Sequence, residues 1–160
     1  MKLDIKDLNE KVLELMDKEI ILEGWVKNHR KQKTIGFIEF NDGTCQNSIQ
    51  LVYDDSNSNF EEISKIKIGS ALRVNGLVKK SNGSGQDYEI LINSVDVLGD
   101  CTDDFPIQPK RHTREFLREQ AYLRPRTNLF RAVFRIRSAA AHAIHSYFEE
   151  NNYIYFNSNL

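Results

Sequence analysis

Between Glu19 and Gly99 apolar and polar residues alternate with a period of two in five stretches: Ile20 to Arg30, Ile35 to Asn41, Ser48 to Tyr53, Ser70 to Lys79 and Tyr88 to Leu98. Such alternation marks strands with one buried face. Ahead of them, Ile5, Leu8, Val12 and Leu15 recur at helical intervals among charged neighbours, with Asp4 placed as an N-cap, which predicts a short amphipathic helix covering one end of the sheet. The connections differ in kind. Asn41-Asp42-Gly43 is a hairpin signal between the second and third strands, whereas FEEISKIKIG between the third and fourth repeats Phe60, Ile63 and Ile66 on one helical face. SNGSGQ before the fifth strand reads as a plain turn.

Beyond Gly99 the pattern changes again. GDCTDDFPIQPK, with Pro106 and Pro109, interrupts regular structure; Thr113 can cap a short helix through Gln120, and Leu123-Arg124-Pro125 breaks the chain before a longer helix from about Thr127 to Glu150. Along that helix Phe130, Val133, Phe134, Ala141, Ile144, Tyr147 and Phe148 make one stripe, with Arg131, Arg135, Ser138, His142 and His145 mostly opposite. Asn151-Asn152 then turns into Tyr153 to Phe156, the expected start of a strand. Three strands, a helix and two more strands give the connectivity of a five-stranded OB barrel, whose second and third strands, with the loops after strands one and four, form an oligonucleotide-binding face. The predicted class is therefore mainly β: a barrel with an N-terminal helix over residues 1–104, a hinge over 105–126, and over 127–160 the opening of a second, helical domain. One helix and a stub of strand cannot bury the apolar stripe between themselves.

Composition narrows the function. The 160 residues are 40% hydrophobic, enough for one ordinary core, and carry a formal charge of -1. A uniformly basic coat and an acidic disordered chain are both excluded. The balance conceals an asymmetry: residues 1–104 hold 13 basic and 19 acidic groups (-6), residues 105–137 hold 9 and 2 (+7), and residues 138–160 hold 0 and 2 (-2). Cys45 and Cys101 are too few and too distant for a disulfide framework, and the histidines lack ligand spacing with them, so no metal and a reducing cytoplasm are expected. No signal-peptide core or membrane-length apolar run is present, and neither secretion nor membrane insertion is expected. No phosphate loop, nucleophile elbow or paired-carboxylate site is visible in the sequence.

Alternation selects the chemistry-bearing positions. In GFIEF, Ile38 and Phe40 face the core and Phe37 and Glu39 the other side; in SIQLVY, Ile49 and Leu51 point inward and Gln50 outward; in YEILIN, Ile90 and Ile92 leave Glu89 outward. An outward aromatic beside an amide and a carboxylate suits unpaired bases, because a ring face stacks on any base while Gln and Glu meet base edges. The loop NHRKQKT adds Arg30, Lys31 and Lys33 for phosphates, and Lys79 and Lys80 flank the other loop. The plainer alternatives are that a one-residue bulge buries Phe37 as a barrel plug, and that Gln50, Glu89 and the basic cluster are solvated surface.

GWVKNHRKQKTIGFIEFNDGT, QLVYD and the stretch from Phe105, with KRH, EFLR and YLRPRTN, resemble the asparaginyl-tRNA synthetases, class II enzymes of the aspartyl, asparaginyl and lysyl subgroup. The resemblance implies an anticodon-binding OB domain, a hinge and the first part of a class II catalytic domain. It places the family's stacking aromatic on Phe37, the amide reading the central anticodon uridine on Gln50, the loop arginine on Arg30 and the fifth-strand carboxylate on Glu89. The helix from Phe130 and the strand from Tyr153 resemble motif 1, a dimer interface, so tRNA and a second copy of the chain are the expected partners. The motif 1 proline falls at Asn159, and motifs 2 and 3, with the ATP and magnesium sites, have no counterpart before Leu160. The chain is expected to hold no cofactor and not to perform the ATP-dependent joining of asparagine to tRNA by itself. A free-standing OB module for single strands is the alternative; it would tolerate changes of base identity that an anticodon reader rejects.

Overall fold

The computed structural model describes residues 1–81, 83 and 85–157. Asn82 and Ser84 of the expected turn, and the positions of Asn159 and Leu160, lie outside the described residues. The chain divides into two compact units, Met1–His112 and Thr113–Leu160.

The first unit is a helix, α1 (Ile5–Leu15), and five strands, β1 (Glu19–Lys31), β2 (Ile35–Asn41), β3 (Ile49–Asp54), β4 (Ala71–Lys80) and β5 (Tyr88–Gly99), with α2 (Phe60–Lys65) between β3 and β4. The strands close into a barrel in the order β1-β2-β3-β5-β4. All neighbours are antiparallel except β3 and β5, which run parallel through Leu51↔Ile90 and Val52↔Leu91. Closure removes free edges. The core is built from the positions that alternation points inward: Ile20, Leu22, Val26, Ile38, Phe40, Leu51, Leu72, Val74, Val78 and Ile90 are essentially inaccessible, and Ile5 and Leu8 of α1 are sealed in the same cluster. Two glycines make the close approaches possible. A Cβ on Gly36 would stand 2.1 Å from Cζ of Tyr53, and one on Gly24 would stand 2.5 Å from the carbonyl oxygen of Asn41.

Capping of α1 differs from expectation. Asp4 occupies the N-cap position with extended backbone but makes no side-chain cap. The bond comes instead from the β2–β3 connection, where Asp42 Oδ2 accepts from the Ile5 N–H at 2.7 Å and Thr44 Oγ1 accepts from the Lys6 N–H at 3.1 Å. Asp42 Oδ1 meanwhile accepts from the N–H and hydroxyl of Thr44. The hairpin tip thus closes its own turn and caps the helix.

The second unit holds α3 (Arg114–Glu119), a 3-10 turn at Arg124–Arg126 and α4 (Asn128–Glu150). Thr113 and Thr127 cap α3 and α4 through their hydroxyls, accepting from the N–H groups of Phe116 and Phe130. The buried residue of α4 is Arg131, which the periodicity put on the polar side; its Nη2 donates to the Arg126 carbonyl at 2.9 Å, so the guanidinium is buried where it closes the end of the preceding turn. The Arg124 guanidinium lies 5.1 Å from the ring centre of Phe130 and 5.4 Å from that of Phe134. The strand expected from Tyr153 is not paired: residues 153–157 adopt no regular element, and the rings of Tyr153 and Tyr155 rest against Phe148 and His145 of α4 at 5.3 and 4.9 Å. A strand needs a neighbour to satisfy its backbone, and no described segment of this unit supplies one.

Candidate nucleic-acid interface

The outward face of the barrel is organised by register. Across β2, β3 and β5 run Phe37, Val52 and Leu91 as consecutive partners, and the adjacent row pairs Glu39 with Gln50. Glu89 precedes the Ile90 that pairs with Leu51, just as Gln50 precedes Leu51, so the parallel junction sets both side chains on the outward side. Phe37, Glu39, Gln50 and Glu89 are all partly exposed, while Ile38 and Phe40 between them are sealed. β2 keeps an unbroken register with β3 over this span, and the ring of Phe37 is not drawn into the core.

The bulge lies on β1 instead. Val26 pairs with Phe40 and Asn28 with Glu39, so Lys27 is the extra residue and both Lys27 and Asn28 stand opposite Glu39. The consequence reaches two residues further. Counting by twos from buried Val26, Arg30 would point into the barrel; the bulge shifts the phase, pairs Arg30 with Phe37 and exposes it. The same shift turns His29 inward. Arg30 and Lys31 therefore belong to the end of β1 rather than to the loop, where Lys33 stays; all three are exposed.

The contacts define what the face can offer. Arg30 Nη2 donates to Gln50 Oε1 at 3.2 Å, and its guanidinium carbon lies 5.5 Å from the centre of the Phe37 ring. A guanidinium has only donors, so the amide oxygen must face it and the Gln50 NH2 becomes the donor presented to a ligand. The cation over the ring is worth about 0.5–1 kcal/mol at an exposed site, less than the roughly 1–3 kcal/mol of a stacked base, so a base can displace it. Glu89 Oε2 accepts from Ser81 Oγ at 3.0 Å and from Gln86 Nε2 at 3.4 Å, holding the β4–β5 connection at the edge of the face. Lys79 is engaged with Asp17 at 2.5 Å.

Sequence patterning missed three contributors. Val52 is outward by alternation yet buried, because it lies between Phe37 and Leu91. Lys27 is aimed by a bulge that no residue type announces. His29 is fixed from behind: its Nδ1 lies 2.8 Å from the Ile66 carbonyl and its Nε2 2.7 Å from the Tyr53 hydroxyl. A carbonyl only accepts, so Nδ1 carries the proton and Nε2 accepts from Tyr53. Burial lowers the His29 pKa and raises that of Tyr53, which keeps the ring neutral and the hydroxyl protonated. Among the described residues no group of His, Cys, Asp and Glu is arranged to hold a metal ion, and no helix is long and apolar enough to cross a membrane.

Comparison with known proteins agrees with the barrel. The family model of the OB-fold nucleic acid binding domain matches residues 20–98. Asparagine--tRNA ligase of Acholeplasma laidlawii (strain PG-8A) is 45% identical over 97% of this chain and 34% of that protein. A crystal structure of asparaginyl-tRNA synthetase from Pyrococcus horikoshii is similar with a TM-score of 0.77 at 21% identity, over 91% of this chain and 35% of that one. A putative aspartyl-tRNA synthetase from Leishmania major Friedlin gives a TM-score of 0.85 at 16% identity, over 99% of this chain and 34% of that one. At such identities the structural likenesses speak for the fold alone, and the chain spans about a third of the length of its curated relatives. On the sequence matches and the closed barrel together, residues 20–98 form an OB-fold nucleic acid binding domain, and the chain is similar to the N-terminal portion of the asparagine--tRNA ligases.

Proposed function

We propose that the barrel binds the anticodon loop of a tRNA, with Phe37 stacking on an unpaired base, Gln50 and Glu89 meeting base edges, and Arg30, Lys31 and Lys33 contacting phosphates. The observation that carries this reading is the single outward patch formed by Phe37, Arg30 and Gln50, in which the arginine fixes the glutamine amide with its NH2 toward the ligand. An amide donor suits a keto oxygen such as that of uracil and meets an amino group in cytosine, donor against donor. We infer the parent reaction, ATP-dependent attachment of asparagine to its tRNA with ATP and magnesium, only for the longer ligases of which this chain spans about a third, and we propose no cofactor for the chain itself. A homodimer through residues 127–160 and a cytoplasmic location complete the proposal; the exposed Val133, Ile136, Ile144, Tyr147 and Phe148 of α4 support the first.

The test is base identity. Titration of the chain with an anticodon stem-loop, and with the same stem-loop carrying cytidine at the central position, should show about tenfold weaker binding of the second. Equal binding of both would favour a sequence-tolerant single-strand module and remove the anticodon reading.

A further inference from the structure

The geometry points to a second base subsite on the barrel, built by Lys27, Glu39 and Ser48, for the nucleotide adjacent to the one stacked on Phe37. This rests on the proposed binding of an unpaired strand and adds to it a site outside the aromatic-amide-arginine patch.

Lys27 Nζ lies 2.6 Å from Glu39 Oε1 and donates to Ser48 Oγ at 2.8 Å, tying together β1, β2 and the start of β3. These groups share the outward face with Phe37 and Gln50: Glu39 is two residues from Phe37 along β2, about 6.7 Å of strand, and pairs directly with Gln50. A carboxylate on a face that receives phosphates would repel the strand unless a cation offset it. Lys27 supplies that cation from the bulge, its side chain drawn down to 16% exposure while the Glu39 side chain remains 44% exposed. The arrangement is therefore a neutral acceptor–donor pair reachable from solvent rather than a bare negative charge. Stability does not account for it, since the pair stays open to solvent on the Glu39 side, where screening leaves an ion pair little net worth, and the bulge that aims Lys27 interrupts the β1–β2 ladder. A carboxylate accepts from a base N–H while the ammonium donates to the neighbouring ring nitrogen or carbonyl, the pairing that a base edge presents.

The experiment combines abasic substitution at each nucleotide of an anticodon stem-loop with the variants Glu39→Gln, Lys27→Met and Phe37→Ala of the full chain, each first checked by its thermal melt. In the parent, removing the base next to the stacked one should weaken binding about tenfold. In Glu39→Gln or Lys27→Met that penalty should fall below about twofold, while the penalty at the stacked position persists. Phe37→Ala should do the reverse. If neither neighbouring position carries a penalty in the parent, or if both folded variants keep the parent's profile, the subsite does not exist and Lys27–Glu39 only braces the barrel. If Phe37→Ala also leaves every penalty unchanged, the binding face itself is misassigned and the subsite falls with it.

Discussion

His29 shows how a single residue couples the interface to the barrel behind it. With Nδ1–H donating to Ile66 and Nε2 accepting from Tyr53, the neutral ring is fully engaged, and burial lowers its pKa from the usual 6.5. The unfolded chain takes up a proton near 6.5 and the folded chain resists it, so this contribution to stability is complete above that value and is lost as pH falls toward the lowered native pKa. Urea unfolding across pH 7.5 to 5.5 should therefore show a steeper loss of stability in the parent than in His29→Gln, which starts lower but responds less; parallel curves would contradict the assignment. At this scale the sequence was informative where a residue obeyed strict alternation. Phe37, Gln50 and Glu89 stand on the side their strand positions imply, because β2 and β3 run in register without interruption. Arg30, Lys27 and His29 could not be placed by counting, because the bulge at Lys27 reverses the phase of everything after it, and the energetic preference for a bulge is spread over the whole barrel.

At the scale of elements, the barrel strands fall within a residue or two of the alternating stretches, and α2 and α4 within the periodic ones, since each of these elements has one face to bury. What periodicity cannot supply is the partner of a capping group. Asp4 stands where a local cap belongs, yet the bond to the first turn of α1 is made by Asp42, 37 positions away, through a contact that exists only once the barrel has closed. Asp42→Ala should lower stability by about 1–2 kcal/mol in chemical denaturation, whereas Asp4→Ala should stay within about 0.5 kcal/mol. A larger loss at Asp4 would return the cap to the local residue. The unpaired segment after Tyr153 has the same origin as the missed cap: alternation of Tyr153 to Phe156 describes a chain suited to a sheet, and strand formation requires the sheet.

For the whole molecule, charge is divided unevenly along the sequence. Residues 1–104 carry -6 and residues 105–137 carry +7, so on the proposed reading the barrel meets phosphates through a few exposed basic groups, Arg30, Lys31 and Lys33, at the end of β1 and in the loop after it. If Arg30, Lys31 and Lys33 contact three phosphates, the logarithm of affinity for a single-stranded loop should fall against the logarithm of salt with a slope near -2, from about 0.7 per phosphate. A slope near zero would show that these cations face solvent in the complex as well. The apolar side of α4 leads to a separate expectation. Val133, Ile136, Ile144, Tyr147 and Phe148 are exposed on one helix, and light scattering should record concentration-dependent association that Ile136→Glu together with Ile144→Glu abolishes; a monomer at every concentration would contradict the proposed dimer.

The most direct measurement of the central claim is the affinity of the parent chain, Phe37→Ala and Gln50→Ala for one anticodon stem-loop at a single salt concentration. Loss of a stacked base or of its edge contact should weaken each variant by about five- to 150-fold, from roughly 1–3 kcal/mol apiece. Variants that bind as tightly as the parent would show that the outward face of β2 and β3 does not hold the nucleotide.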